Sequence, residues 1–226
     1  LIITARRAGP LEALKAELEA AHGICVTVIA CDLGAADGAE ALYQAIGDTR
    51  IDILINNAGF GGHGKFVERP LLEDLAMIDL NVKALVSLCH KVGNDMVAQG
   101  AGKILNVSST ASYMPGPLQA TYFATKAFVL SFTEALHEEV RKAGIRVTAL
   151  CPGPTGTEFG AVAGFSSNGA FDNLSAKSAD VVAFGLKALD KGRAVAIPGM
   201  VNKAGAQGHR FLPRWVLRKV TASIKY

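Results

Sequence analysis

Tyr122 and Lys126 stand four residues apart in the run Thr121-Tyr122-Phe123-Ala124-Thr125-Lys126-Ala127. Four residues is just over one helical turn, so on a helix the phenol and the ammonium share a face, one above the other. An ammonium beside a phenol favours the phenolate, which lowers the tyrosine pKa and makes Tyr122 a usable proton donor or acceptor near neutral pH. The pair alone is a weak signal and, as a bare motif, reads as a solvated helix face more often than not. Its surroundings narrow the reading. Ser109 lies thirteen positions upstream, ending Ile104-Leu105-Asn106-Val107-Ser108-Ser109. That apolar run reads as a buried parallel strand delivering a hydroxyl to its C-terminal edge, where open α/β sheets place their sites. Asn81 sits within a long helical pattern, in Asp79-Leu80-Asn81-Val82, and Asn56-Asn57-Ala58-Gly59 closes another apolar strand over residues 51–55. Pro152-Gly153 follows the strand-like run over residues 145–151, with Thr157 five residues after Pro152.

The elements that must position these residues alternate between two patterns. Strands are expected over residues 1–5, 24–30, 51–55, from Ile104, from Ile145 and over 194–198. Helices are expected over 10–21, 36–46, 70–98, 119–143 and 176–191, the third of them interrupted near Asn81. In the first helix Leu11, Leu14 and Leu18 share a face, Pro10 suits the first helical position and Gly23 lies past the end. Such alternation predicts an α/β fold, a parallel sheet between two layers of helices, in a single domain spanning residues 1–226.

Composition excludes several function classes. Half of the 226 residues are apolar and 19% charged, as in an ordinary globular domain, and a net charge of +3 is too small to argue for nucleic acid. Cys25, Cys31, Cys89 and Cys151 form no Cys-x-x-Cys pattern and read as buried thiols of a reducing compartment. The five histidines are too dispersed to suggest a metal site. With no signal peptide or bilayer-spanning run evident, the expected location is cytoplasmic.

In this order and spacing, Asn57-Ala58-Gly59, Asn81, Ser109, the Tyr122/Lys126 pair and Pro152-Gly153 resemble the short-chain dehydrogenase/reductase family, over residues 1 to about 198. The resemblance implies a Rossmann-like doubly wound parallel sheet and an oxidoreductase that interconverts a carbonyl and an alcohol with a nicotinamide cofactor. It assigns Tyr122 as the acid/base, Lys126 as its partner and a ligand of the nicotinamide ribose, and Ser109 as the donor to the carbonyl oxygen. Asn81 would keep a water in the proton relay behind Lys126. The bland alternatives are a strand-end hydroxyl at Ser109 and a helix-kinking polar residue at Asn81. Where NAD enzymes of this type carry an acid after the first strand of this chain, Ala5 appears, followed by Arg6 and Arg7. Two guanidiniums suit a 2′-phosphate and favour NADP(H) over NAD(H); otherwise they are solvated surface arginines. Asp32 and Leu33 resemble the adenine contact, with Asp32 alternatively an N-cap. Asn57, Ala58 and Gly59 would approach the adenosine ribose, and Pro152, Gly153, Thr155 and Thr157 the nicotinamide pocket, Thr155 standing where the family usually has an apolar residue.

The family opens with a strand, a Thr-Gly-x-x-x-Gly-x-Gly turn and a helix, whereas this sequence starts at what resembles the second strand. The sheet is therefore expected to lack strand 1 and its following helix, with strands 2 and 4 exposing unpaired edges. A chain beginning at Leu1 should on that account fold poorly, which points to residues upstream. Residues 158–178, with Phe159, Phe165 and Phe171, read as a substrate lid or a surface loop, and Met114, Pro115 and Leu118 suggest a small apolar carbonyl or alcohol substrate. By resemblance the helices over 70–98 and 119–143 would form a homodimer or homotetramer, the latter carrying Phe128, Phe132, Ala135 and Leu136. In the C-terminal extension over residues 200–226, Pro213 can start a helix with Val216, Leu217, Val220 and Ile224 on one side and Arg214, Arg218 and Lys225 on the other. Such a helix packs on its own domain, on a dimer partner or weakly on an anionic membrane surface. This ending resembles a bacterial branch loosely called DltE-like. A second functional class also fits, a catalytically idle Rossmann protein acting as a scaffold.

Overall fold

A computed structural model describes residues 1–156 and 175–223, with the backbone alone at His209. Strand β1 (Ile2–Ala5) is followed by α1 (Ala8–His22), β2 (Thr27–Ala30) and α2 (Gly38–Ile46). Strand β3 (Ile53–Asn56) leads to α3 (Leu71–Ile78), which runs through a π-helical turn at Asp79–Ala84 into α4 (Leu85–Gln99). The alternation continues through β4 (Gly102–Val107), α5 (Ala120–Val140), β5 (Ile145–Leu150), α6 (Ser178–Asp190) and β6 (Val195–Ala196). Two further helices, α7 (Met200–Gly208) and α8 (Arg214–Ser223), complete the described chain.

The strands pair in parallel throughout, as the Rossmann-like reading requires. They do so in two pieces: β1 with β2, and β3-β4-β5-β6 in that order, with no ladder joining β1 to β3 among the described residues. Ile53 and Ile55 on β3 remain exposed.

Period-two alternation along the central strands builds a layer on each side of the larger sheet. Ile104 and Val147 face a core with Leu85, Cys89, Val92 and Met96 of α4 and Val129 of α5. Leu105, one residue on, turns to the opposite core with Leu150, Ala196 and the α6 residues Val181, Ala188 and Leu189. Each such fully buried Leu or Val stabilises the fold by roughly 1.5–3 kcal/mol relative to exposure, so these layers hold the strand ends in place. Gly100 ends α4 in the left-handed region (φ 69°), its N–H bonded back to Met96 and Val97, and this sharp stop drops the chain directly into β4.

Several expected boundaries move. The interruption near Asn81 is one widened turn within a continuous helical path, not a break. Pro10 is the third residue of α1, still within the first turn where a missing N–H costs nothing. The second strand begins only at Thr27, which leaves Cys25 exposed instead of buried, while Cys89 and Cys151 are buried as expected. The helix over 119–143 ends at Val140 and finishes as a 3₁₀ turn, Arg141–Ala143. The expected lid lies almost wholly outside the described residues, as does Thr157.

Candidate active site

Helix α5 presents Tyr122 and Lys126 on one buried face, only 8% and 6% exposed. The ammonium of Lys126 lies 5.9 Å from the Tyr122 ring centroid and donates to the carbonyl of Val107, the last residue of β4, at 2.9 Å. A second set of bonds ties the same two elements. The hydroxyls of Ser108 and Ser112 lie 2.8 and 2.9 Å from the carbonyl of Lys126 and 2.6 Å from each other. They clamp the 3₁₀ turn at Thr110–Tyr113 onto α5. Between them Ser109 accepts from the N–H of Ala111 at 3.1 Å, capping that turn, and its hydroxyl favours the phenolate of Tyr122. Ser109 is thus both a strand-end cap and a partner of Tyr122.

The electrostatics differ from the sequence expectation in sign. Burial pushes the Tyr122 phenol up to about 12, with the Ser109 hydroxyl pulling the other way. Burial brings the Lys126 ammonium down to about 8. Lys126 was expected to lower the tyrosine pKa; desolvation of both groups outweighs their proximity, because it disfavours the charged form of each. Around neutral pH the phenol therefore keeps its proton.

Asn81 faces this pair from the π-helical turn. Its Oδ1 accepts from the N–H of Phe60 at 3.1 Å, and its Nδ2 donates to the Phe60 carbonyl at 2.9 Å and to Thr125 Oγ1 at 3.1 Å. Both amide protons are used, so Asn81 stitches the loop after β3 to α5. Gly59 is wedged into the same junction. A Cβ there would sit 2.8 Å from Asn81 Oδ1 and 3.6 Å from Lys126 Nζ, so only glycine lets the backbone pass this close.

The remaining candidates gather at the C-terminal ends of parallel strands. Arg6 and Arg7 follow β1, both exposed, with no ion pair to a described residue. Asp32 follows β2 beside them, the N–H of Cys31 bonding the Ala5 carbonyl at 3.0 Å. Its Oδ1 accepts from Gly34 N at 3.0 Å; it turns the chain instead of capping α2, whose N-cap is Asp37. Leu33 is buried among Ala39, Leu42, Ala84 and Leu88, so only its backbone is available to a ligand. Asn57 and Ala58 are exposed beyond β3. Past β5 the Pro152 carbonyl accepts from Thr110 N at 2.9 Å, linking it to the Ser109 turn. A Cβ at Gly153 would fall 2.5 Å from Asn202 of α7, and Thr155 donates to the Gly153 carbonyl at 3.0 Å.

Around these candidates stand Asn56 and Met114, named from the sequence, and several residues not singled out from it. Thr125, bonded to Asn81, also donates to the Tyr122 carbonyl at 2.7 Å. Asn56 donates to Asn106 at 2.9 Å, and Asn106 to Thr133 at 3.0 Å, a buried polar chain linking β3, β4 and α5. An asparagine inside the apolar run of β4 was the available signal, since a buried amide needs partners. Arg69 braces the loop after β3 through the His63 carbonyl at 3.0 Å and Asp74 at 3.3 Å. One wall is apolar: Met77, Ala111, Tyr122 and Phe123 cluster with Phe60 and Met114.

A parallel α/β sheet whose strand ends gather a Ser-Tyr-Lys group under a widened, asparagine-bearing turn defines a class of protein, and comparison agrees. The short chain dehydrogenase family matches residues 1–167, and the chain belongs to it. It is 36% identical over 155 residues to a very-long-chain 3-oxoacyl-CoA reductase of Laccaria bicolor, covering 66% of this chain and 46% of that protein. It is 38% identical over 163 residues to a sulfoacetaldehyde reductase of Chromohalobacter salexigens, covering 70% and 64%. The matches thus span about half to two thirds of these curated relatives. Among solved structures, a short-chain dehydrogenase from Sphingobium yanoikuyae in complex with NADPH superposes with a TM-score of 0.85 at 30% identity, covering 100% of this chain and 86% of that one.

Proposed function

We propose that the protein is an NADP(H)-dependent oxidoreductase that interconverts a carbonyl and an alcohol on a small apolar substrate. The observation that carries this is the Tyr122–Lys126 arrangement at the Ser109 strand end, a buried phenol and a buried ammonium on the same helix face, 5.9 Å from ring centroid to nitrogen.

The residues present fit such a cofactor. Gly59 brings the loop backbone close to Lys126 and Asn81, and the two exposed guanidiniums after β1 have the charge and the planar fork of donors that suit a 2′-phosphate. Arg6 and Arg7 would hold that phosphate. Asp32 and the Leu33 backbone would meet the adenine, Asn57, Ala58 and Gly59 the adenosine ribose, and Lys126 with Tyr122 the nicotinamide ribose. Pro152, Gly153, Thr155 and Thr157 would line the nicotinamide pocket. A nicotinamide held there would supply the hydride in reduction and take it up in oxidation. Tyr122, protonated near neutral pH, would donate its proton to the carbonyl oxygen in reduction; in oxidation it would first pass that proton to the relay behind Lys126 and then accept the proton of the alcohol. Ser109 donates to the same oxygen as charge develops on it. Lys126 and a water held at the Asn81 turn return the proton to Tyr122.

The apolar wall of Phe60, Met77 and Met114 supports an apolar substrate. The exposed faces of α3, with Leu71, Leu72 and Leu75, and of α5, where Phe128 stacks on Phe132 at 5.8 Å, support assembly into a dimer or tetramer. The NADPH carried by the Sphingobium relative supports the cofactor choice.

Replacing Tyr122 by Phe tests the reading. The variant should bind NADPH nearly as the parent does, while carbonyl reduction falls by about 100-fold or more, the scale of a lost general acid. Reduction at an undiminished rate would refute it.

A further inference from the structure

Charge is divided sharply along this chain. Residues 1–190 hold fifteen Lys/Arg and all twenty Asp/Glu, a net −5, whereas residues 191–226 hold eight Lys/Arg and no acid, a net +8. The basic segment forms α7, a 3₁₀ turn at His209–Phe211, and α8. Residues 191–198 belong to the body, with β6 in the sheet and Ala196 and Pro198 buried; from Met200 onward little is committed to it, Ala206, Leu217 and Thr221 being the buried residues of α7 and α8. Leu217 and Thr221, one turn apart, mark the inner face of α8, rotated from the all-apolar stripe expected from sequence, so that Val220 faces out.

Opposite that inner face stand Trp215, 56% exposed, and Lys219, whose ammonium lies 5.5 Å from the indole centroid. At 100° per residue Arg214 and Arg218 flank them on one side and Val220 on the other. Phe211 is 85% exposed just before the helix, and Met200 and Val201 are 89% and 84% exposed at the start of α7. None of Lys203, Arg210, Arg214, Arg218 and Lys219 has an ion-pair partner among the described residues. Arg210 and Arg214 line a cavity with Glu134, whereas aromatic and aliphatic side chains standing in water among cations are the composition of a helix that lies in a headgroup layer.

We propose that the segment from α7 to α8 is a docking surface for an anionic lipid bilayer, with Phe211 and Trp215 entering the headgroup region and the surrounding Arg and Lys meeting lipid phosphates. No helix of the described residues is long and apolar enough to cross a membrane, and the proposed contact is made by the surface of α7 and α8. The exposed apolar groups are spread from Met200 to Val220 with cations between them, which suits an extended fluid surface better than one fitted protein groove, whose centre is depleted of charge. Asn202 of α7 lies against Gly153, so the docking face adjoins the site. The docking itself does not depend on the reaction proposed above.

Trp215 is the only tryptophan, so its fluorescence reports this face alone. The full chain is mixed with vesicles of phosphatidylcholine, and with vesicles of phosphatidylcholine and phosphatidylglycerol. A blue shift and co-sedimentation with the anionic vesicles alone are expected, both fading as salt rises. Arg214→Glu and Arg218→Glu should each weaken partitioning markedly, by roughly fivefold per unit of charge lost. Phe211→Ser should weaken it while leaving the salt dependence intact. Absence of binding to anionic vesicles, or equal binding to both kinds, overturns the proposal. So does a Trp215 shift that follows protein concentration without lipid and tracks a doubled mass in light scattering, which would give this face to a second copy of the chain.

Discussion

Asn81 donates through Nδ2 to Thr125 Oγ1 at 3.1 Å, joining the π-helical turn to the helix that carries Tyr122 and Lys126. Thr125 bonds the Tyr122 carbonyl in turn, so one buried hydroxyl serves two elements of the site. Thr125→Val keeps the shape but leaves an amide proton of Asn81 without a partner. A loss of about 1–3 kcal/mol in denaturant-derived stability is expected, with Thr125→Ser close to the parent. Equal stability of all three proteins would mean that this bond contributes nothing.

Lys126 sets the pH dependence of stability. Burial brings its pKa down to about 8, so above that value the unfolded chain holds a lysine proton that the folded chain has released. Stability should therefore rise with pH from about 8 toward the ordinary lysine value near 10.4. Cys89 and Cys151, raised by burial to about 12 and about 11, act in the opposite sense above the ordinary thiol value near 8.5, because there the folded chain keeps protons that the unfolded chain loses. The two trends together predict a maximum between about pH 8 and 9. Unfolding curves of Lys126→Met should lack the rising limb; a limb that persists would assign it to another group.

What was legible in the sequence was periodicity and spacing. The Tyr122/Lys126 face, the Ser109 strand end and the Asn81 interruption all follow from counting residues against 3.6 and 2 per repeat. The pKa of Tyr122 was not legible, since its sign depends on how completely Met77, Phe123 and Ala111 shield the phenol, a property of tertiary packing. Nor was the clamp of Ser108 and Ser112 on the Lys126 carbonyl, because a backbone acceptor eighteen residues from Ser108 leaves no trace in residue types. The burial register of α8 failed for the same reason. Leu217 and Thr221 face inward because of what they meet, whereas hydrophobicity alone would have turned Val220 in with them.

Arg6 and Arg7 should decide cofactor choice. Both are exposed at the end of β1, next to the Asp32 turn, and neither is ion-paired to a described residue. A charge-assisted bond to a 2′-phosphate is worth about 1.5–3 kcal/mol, so NADPH should bind more than tenfold tighter than NADH. Arg6→Ala should remove much of that difference by weakening NADPH alone. Calorimetric titration that gives equal affinities in the parent would reverse the assignment.

Gly59 is where the site tolerates least. A Cβ would stand 2.8 Å from Asn81 Oδ1 and 3.5 Å from its Cγ, and the carboxamide cannot retreat without releasing both backbone groups of Phe60. Gly59→Ala should cost about 1–3 kcal/mol, as overpacking does, and weaken cofactor binding by displacing the backbone that passes Lys126. Because the clash is with Asn81, the two positions should couple. Asn81→Ala removes the obstructing amide, so adding Gly59→Ala to it should cost measurably less than in the parent, a coupling of about 0.5 kcal/mol or more. Urea unfolding of the parent, both single variants and the double variant measures that difference directly. Strict additivity would show that the strain of Gly59→Ala lies in the loop backbone and not in its contact with Asn81.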